Sequence, residues 1–151
     1  MRHSTSPVVA PDYPIAALID FFETLSLDKV EHIGDIYAAD ARFKDPFNEV
    51  RGIAAIKQLF AHMFVQVKEP RFVILSSTAQ DEQLFLTWDF RFYMPRFATE
   101  EQCIHGATHF RFDAEGKVCV HRDYWDAAEE LYEKLPLLGS LMRVLKRVAR
   151  K

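Results

Sequence analysis

Residues 102–125 carry the stretch that decides the fold, QCIHGATHFRFDAEGKVCVHRDYW. Apolar and polar residues alternate on both sides of DAEG, which indicates two β-strands joined by a tight turn. If the turn has four residues, Thr108 faces His121 and Gly106 faces Asp123. One face of the hairpin then carries Ile104, Gly106, Thr108, Phe110, Cys119, His121, Asp123 and Trp125. The opposite face carries Cys103, His105, His109, Arg111, Val120, Arg122 and Tyr124.

Upstream of the strands, the sequence predicts three amphipathic helices. The first begins after Pro14, a residue favoured in the first helical turn. The second begins at Asp28, which forms a capping pair with Glu31 and leads into an apolar stripe that ends at Tyr37. The third follows Gly52 and carries apolar residues at helical spacing.

Two further strand patterns lie between these helices and the hairpin, at 71–79 and 83–94. Helical periodicity returns at 127–151, with a break at Leu135-Pro136. Helices followed by antiparallel strands predict an α+β fold. We expect one domain at 13–126, preceded by a lead-in and followed by a helical extension.

The composition narrows the functional classes. The 151 residues include 19 Lys and Arg against 22 Asp and Glu, so a nucleic-acid-binding surface is not expected. Met1–Asp12 has no apolar run of signal-peptide length, and no segment approaches a membrane span. A cytoplasmic protein is therefore predicted. Thirteen phenylalanines indicate either a large core or an apolar cavity.

Two segments resemble known families. YAADARFKDPF at 37–47 resembles the YADDAxxxDPF segment of bacterial ketosteroid isomerases, which are members of the NTF2-like superfamily. HRDYWD at 121–126 is similar to segments of SnoaL-like polyketide cyclases and limonene-epoxide hydrolases. The resemblance covers about Pro14 to Asp126. It implies a cone in which a curved antiparallel sheet wraps around helices and encloses an apolar cavity.

The resemblance also implies roles for particular residues. Asp45 matches the general base of ketosteroid isomerase, and Asp123 matches a catalytic aspartate of the cyclases and epoxide hydrolases. Both carboxylates would line one pocket. Phe21 stands where the isomerase has its oxyanion tyrosine, and Thr108 stands where it has a protonated aspartate. The oxyanion hole of the isomerase is therefore missing in its usual form.

The residues themselves leave the roles of both aspartates open. Asp45 precedes Pro46, so it is either a general base in an apolar setting or the start of a turn. His121 and Asp123 share a strand face, roughly 6–7 Å apart. Together they are either a base and a polarising group or a structural hydrogen-bond network, in which Thr108 could fix the tautomer of the imidazole.

Aromatic residues and Thr108 are the predicted lining of the cavity, although alternating aromatics on strands also form ordinary cores. The predicted lining comprises Tyr37, Phe21, Phe60, Trp88, Phe90, Thr108, Phe110 and Trp125. No cofactor is expected, because no phosphate loop or nucleotide motif is present. No metal site is expected either, because His105 and His109 lie roughly 13 Å apart along one strand.

The basic C-terminal segment has two interpretations. Its apolar stripe, which includes Leu138, Leu141, Leu145 and Val148, either docks on the cone or makes weak contact with an anionic membrane surface. A homodimer is also expected, since the superfamily commonly dimerises through the outer face of the sheet.

These observations predict a protein that binds a small apolar, carbonyl-bearing ligand. If it is catalytic, we expect cofactor-independent isomerase or cyclase chemistry with an aspartate as the general base. The alternative is a non-catalytic ligand-binding or accessory protein with the same fold.

Overall fold

The computed structural model describes residues 12–130 and 136–150, in the α+β architecture that the sequence predicts. The helices are α1 (Ile15–Glu23), α2 (Leu27–Glu31), a 3₁₀ turn (Ile33–Asp35), α3 (Ile53–Gln66), α4 (Ala127–Glu130) and α5 (Pro136–Ala149). The strands are β1 (Tyr37–Lys44), β2 (Glu49–Arg51), β3 (Lys68–Gln80), β4 (Gln83–Tyr93), β5 (Gln102–Phe112) and β6 (Val118–Tyr124).

The strands form one curved sheet in the order β2-β1-β6-β5-β4-β3. The long strands β3, β4 and β5 pair antiparallel, whereas β1 runs parallel to β6. Helices α1 and α3 pack against the sheet and bury one of its faces. We call this buried face the inner face and the opposite one the outer face. The parallel β1–β6 pair brings the start of the domain beside the strand that carries His121 and Asp123.

The N-terminal elements differ from the sequence prediction in two details. Ser26, rather than Asp28, caps α2, because its Oγ accepts a hydrogen bond from the Lys29 backbone N–H at 3.2 Å. Tyr37 does not extend the stripe of α2, since the helix ends at Glu31 and Tyr37 begins β1. Tyr37 is consequently aimed at the inner face from a strand, with 1% of its surface exposed.

The register of the last hairpin is offset from the predicted one by two residues. Thr108 pairs with Asp123, not with His121, and Phe110 pairs with His121. The connection is one residue longer than predicted, since Phe112 pairs with Val118. A bulge at Cys119 adds the second residue of the offset. Because side chains alternate with a period of two, the shift leaves Thr108, His121 and Asp123 on the same face.

The C-terminal helix α5 is tied to α4 by charge. Lys146 forms ion pairs with Asp126 at 3.9 Å and with Glu129 at 3.8 Å. Leu145 and Val148 of the predicted apolar stripe are 51% and 65% exposed, so this part of the stripe does not dock on the cone. Contact with a membrane surface stays a prediction.

Some predictions lie partly outside the described residues. Of the lead-in at 1–12, the structure describes only Asp12. Of the predicted break at Leu135-Pro136, it describes only Pro136. Within the described ranges, no helix has the length and apolar character required to span a bilayer. The cytoplasmic location stays a prediction.

Candidate active site

A chain of hydrogen bonds crosses the inner face around β6. The Asp123 carboxylate can only accept, so His121 donates from Nε2 to its Oδ1 at 2.8 Å. In the neutral ring, Nδ1 then accepts from the Tyr37 hydroxyl at 2.6 Å. Both nitrogens of His121 are thereby engaged, which fixes its tautomer and ring orientation.

The second arm of the chain reaches the same carboxylate oxygen. Thr108 donates its hydroxyl to Asp123 Oδ1 at 2.6 Å and accepts from the Trp88 indole N–H at 2.8 Å. Gly106 makes this position of Trp88 possible, because a Cβ at residue 106 would overlap the indole ring. The absence of a side chain at residue 106 therefore leaves room for the indole, whose N–H reaches Thr108.

The exposed fraction of the side chains increases along the chain of hydrogen bonds towards Asp123. Tyr37, Thr108 and His121 are 1%, 3% and 3% exposed, whereas the Asp123 side chain is 17% exposed. Burial, with a smaller contribution from the negative charge of Asp123, raises the pKa of Tyr37 well above its ordinary value. Tyr37 therefore remains a neutral hydrogen-bond donor, and Asp123 is the member of the chain that can meet a ligand.

Aromatic rings fill the inner face behind this chain. Phe22 of α1 lies at the centre, with its ring centroid 5.2–6.2 Å from neighbouring rings. Those neighbours are Phe21, Phe60, Phe72, Phe110 and His121. Most predicted lining residues thus pack against one another in this aromatic cluster. Phe90 is half-buried and stacks on Phe72 with a centroid distance of 4.6 Å.

An open cleft of about 510 Å³ lies at the end of β6, where Asp123 reaches the surface. Both predicted catalytic aspartates line it, as does Trp125, whose ring meets Phe47 edge-on at 5.5 Å. The complete lining is Lys44, Asp45, Pro46, Arg122, Asp123, Tyr124, Trp125 and Asp126. The sequence predicted an enclosed apolar cavity around these carboxylates, whereas the cleft is open and rich in charge.

Asp45 organises the turn between β1 and β2. Its Oδ1 accepts the backbone N–H groups of Phe47 and Asn48 at 2.8 and 2.7 Å. The Asn48 amide also donates to both of its carboxylate oxygens at 3.1 Å. Asp45 thus performs the structural role expected of an Asp-Pro turn, although it also borders the cleft.

Lys44 and Arg122 are cleft residues that the sequence analysis did not select. Lys44 directly precedes Asp45, and that adjacency was the available signal. Arg122 was predicted on the opposite strand face, yet it borders the cleft near the end of β6. Its guanidinium lies 4.8 Å from the centre of the Tyr124 ring. The cleft consequently offers positive as well as negative groups.

Residues 18–121 match the model of the SnoaL-like domain family. The chain belongs to this family. The matched segment holds Tyr37, Trp88, Thr108 and His121 and ends two residues before Asp123. No curated protein matches the chain.

Solved structures show the fold of this SnoaL-like protein. A hypothetical protein of ketosteroid isomerase-like fold from Catenulispora acidiphila, in complex with trimethylamine, has a TM-score of 0.68 at 16% identity, over 83% of this chain and 96% of that one. An LEH-like epoxide hydrolase from M. tuberculosis has a TM-score of 0.62 at 17% identity, over 87% and 92%. A protein assigned as a SnoaL-like polyketide cyclase from Jannaschia sp. CCS1 has 0.63 at 13%, over 76% and 86%.

Proposed function

We propose that this SnoaL-like protein binds a small carbonyl compound in the cleft and that Asp123 removes a proton from the carbon next to the carbonyl. One observation carries the proposal: the Asp123 carboxylate lies at the boundary between a buried hydrogen-bond chain and an open cleft. Both described hydrogen bonds end on Oδ1, so Oδ2 is the oxygen available to a ligand.

The neighbours of Asp123 position it for this step. His121 and Thr108 hold Oδ1 from two directions, which fixes the plane of the carboxylate at little cost in side-chain entropy when a ligand binds. The sequence predicts His121 as a polarising group, Thr108 as the residue that fixes its tautomer, and Tyr37 and Trp88 as lining residues. In the structure these groups hydrogen-bond to one another or to Asp123, so we assign them to positioning.

Lys44 and Arg122 supply the positive charge that the reaction requires. Proton removal converts the carboxylate into a carboxylic acid and the substrate into an enolate, whose oxygen carries the new negative charge. A cation at the wall of the cleft stabilises that oxygen. Return of the proton at a different carbon completes an isomerisation. Attack of the enolate carbon on a second carbonyl of the same molecule forms a ring, and the carboxylic acid then returns its proton to the resulting alkoxide.

The cleft suits a small organic ligand. A volume of about 510 Å³ lies within the ~300–1,000 Å³ range of small-molecule sites. Trp125, Tyr124 and Pro46 offer apolar surface beside the charged groups. The names of the structural neighbours, which include a protein assigned as a polyketide cyclase, support a carbonyl substrate class.

Proton exchange tests this proposal without knowledge of the natural substrate. The protein is incubated in D₂O with a panel of cyclic and acyclic 1,3-dicarbonyl compounds, and loss of the α-proton signal is followed by NMR. We expect accelerated exchange of at least one compound, lowered about 10²–10⁴-fold in Asp123→Asn.

Asp45→Asn and Asp126→Asn are the matched controls, because each removes a carboxylate charge from the same cleft. In Asp45→Asn, the amide oxygen of the new side chain can still accept the N–H groups of the turn, so this variant should fold. We expect both controls to retain exchange within about tenfold of the wild-type rate. Full exchange by Asp123→Asn, together with its loss in Asp45→Asn, would transfer the role of base to Asp45.

A non-catalytic ligand-binding protein is the second candidate function. The observation in its favour is the aromatic cluster around Phe22, which fills the space where an interior ligand would bind. This candidate predicts saturable binding by calorimetry for compounds whose α-protons exchange at the uncatalysed rate. Wild-type acceleration of exchange that Asp123→Asn abolishes would exclude it.

The predicted homodimer is also part of our proposal. Val73 and Phe85 lie on the outer face and are 36% and 47% exposed, which leaves apolar area for a second copy of the chain. Sedimentation equilibrium of the full chain measures its mass directly, and a monomer at micromolar concentration would contradict this part.

A further inference from the structure

The outer face carries a second Asp–His pair, which the proposed function does not use. Asp89 on β4 lies opposite His105 on β5, and Arg91 lies opposite Cys103. The Asp89 carboxylate contacts His105 Nδ1 directly. Cys103 and His105 are two residues apart on one strand, so their side chains leave it on the same side. A carboxylate, an imidazole and a thiol therefore meet across two neighbouring strands.

These three donors are close enough to hold one ion. One oxygen of Asp89, one ring nitrogen of His105 and the sulfur of Cys103 all lie within 4.8 Å of one another. Zinc–nitrogen and zinc–sulfur bonds of about 2.0–2.3 Å place tetrahedral ligand atoms about 3–4 Å apart. Side-chain rotations would have to open the direct contact between Asp89 and His105 and adjust the distance to the Cys103 sulfur, while the paired strands fix the three backbones.

We propose that Asp89, Cys103 and His105 bind a divalent transition-metal ion, with zinc as the best match. A thiolate and an imidazole favour zinc over magnesium or calcium, which prefer oxygen ligands throughout. Three protein ligands leave the fourth tetrahedral position to water. The ion would link β4 to β5 on the outer face of the sheet.

The charges around the site are compatible with a cation. Arg91 approaches Oδ2 of Asp89 at 3.8 Å and pairs with Glu101 at 3.4 Å, and Arg71 pairs with Glu101 as well. Glu101 therefore offsets part of the arginine charge, and Oδ1 of Asp89 is directed at His105. The Asp89 side chain is only 12% exposed, and Arg91 compensates its charge on the Oδ2 side. A metal ion between Oδ1 and His105 would compensate it on the other side.

Cobalt provides a direct readout, because it occupies zinc sites and absorbs light when a thiolate is bound to it. The full-length protein is treated with a chelator, dialysed and titrated with Co²⁺. We expect one ion per chain and a thiolate-to-cobalt charge-transfer band in the near ultraviolet. Addition of Zn²⁺ should then abolish the band by displacement, since zinc binds such sites more tightly than cobalt does.

The chain offers matched controls for two of the ligands. Cys103→Ser should abolish the band, whereas Cys119→Ser should retain it. Cys119 lies on β6, and burial, followed by the nearby charge of Asp113, raises the pKa of its thiol and disfavours the metal-binding thiolate. His105→Ala should weaken Co²⁺ binding by at least about tenfold, whereas His109→Ala, on the same face of β5, should not.

Three outcomes would overturn the proposal. They are absence of the band in the wild type at saturating Co²⁺, its persistence in Cys103→Ser, and its loss in Cys119→Ser. Asp89→Asn supplies an independent check, because it removes the charge and keeps the shape; unchanged Co²⁺ affinity would exclude Asp89 as a ligand. Far-ultraviolet circular dichroism of each variant establishes that the strands are intact.

Discussion

Two Asp–His pairs lie on opposite faces of the same sheet, and their surroundings separate them. In the inner pair, His121 is 3% exposed and both of its ring nitrogens have partners. In the outer pair, the His105 side chain is 66% exposed and its described bond to Asp89 uses only Nδ1. The same two residue types therefore form a rigid support on one face and an adaptable ligand set on the other.

The order of the residues along the strands contributes to this difference. His121 and Asp123 belong to one strand, so a third residue, Thr108, can reach the carboxylate from the neighbouring strand. Asp89 and His105 face each other across two strands, so the pair itself links β4 to β5. Removal of the histidine should accordingly lower the stability of the protein by different amounts in the two pairs.

The largest expected effect comes from truncating the two histidines. His121→Ala leaves a cavity and deprives the buried Tyr37 hydroxyl and Asp123 carboxylate of a partner. We expect it to lower the free energy of unfolding by about 3–5 kcal/mol. His105→Ala in metal-free protein should change it by about 0.5 kcal/mol or less, because that side chain is mostly exposed and the Asp89 carboxylate keeps its ion pair with Arg91. Urea denaturation compares them, and equal losses would remove the distinction between the faces.

Gly106 offers a test of the inner face alone. Gly106→Ala places a Cβ against the Trp88 ring and must displace the indole or the strand. We expect a loss of about 1–3 kcal/mol together with a shift in tryptophan fluorescence, since the Trp88–Thr108 bond would be broken. Gly34→Ala is the matched control, because its Cβ would meet Ile53 at an ordinary 3.6 Å. A neutral Gly106→Ala would mean that Trp88 does not depend on this contact.

The faces of the hairpin could be predicted from the sequence, whereas its register could not. The face on which a strand residue lies changes only when the register shifts by an odd number of residues. Thr108, His121 and Asp123 therefore stayed on one face when the register moved by two. The longer connection and the bulge at Cys119 are local conformations that alternation does not encode. Either one alone would have moved His121 to the opposite face from Thr108.

The other features that could not be predicted depend on contacts between segments that are distant in the sequence. Tyr37 and His121 are 84 positions apart, and only the parallel β1–β6 pairing brings them together. The prediction of no metal site rested on the distance between His105 and His109 along one strand. The proposed site instead takes Asp89 from a neighbouring strand. Asp123 and Trp125 could be assigned to the pocket because the family resemblance supplied positions that local patterns lack.

The stability of the folded protein at alkaline pH should depend on Tyr37 of the inner face. Burial raises its pKa in the folded protein, whereas the unfolded chain releases this proton near the ordinary value of 10.0. The folded state therefore binds more protons above pH 10, and stability falls as the pH rises. We expect the wild type to lose about 1 kcal/mol more than Tyr37→Phe between pH 9 and 11. Parallel stability curves for the two proteins would contradict the buried, neutral phenol.

His109 on the outer face should have a smaller effect on stability, which here falls as the pH decreases rather than as it increases. Partial burial, and then the charge of Arg111, lowers the pKa of this imidazole below 6.5, where it stacks on Phe85 and bonds to Gln83. As the pH falls below 6.5, the unfolded chain takes up a proton before the folded one does, so stability falls. Because the ring is only partly buried, solvent screening limits the loss to a few tenths of a kcal/mol. His109→Gln should remove this acid-side slope and leave the alkaline slope of Tyr37 intact, whereas loss of both slopes would show that the two faces do not titrate independently.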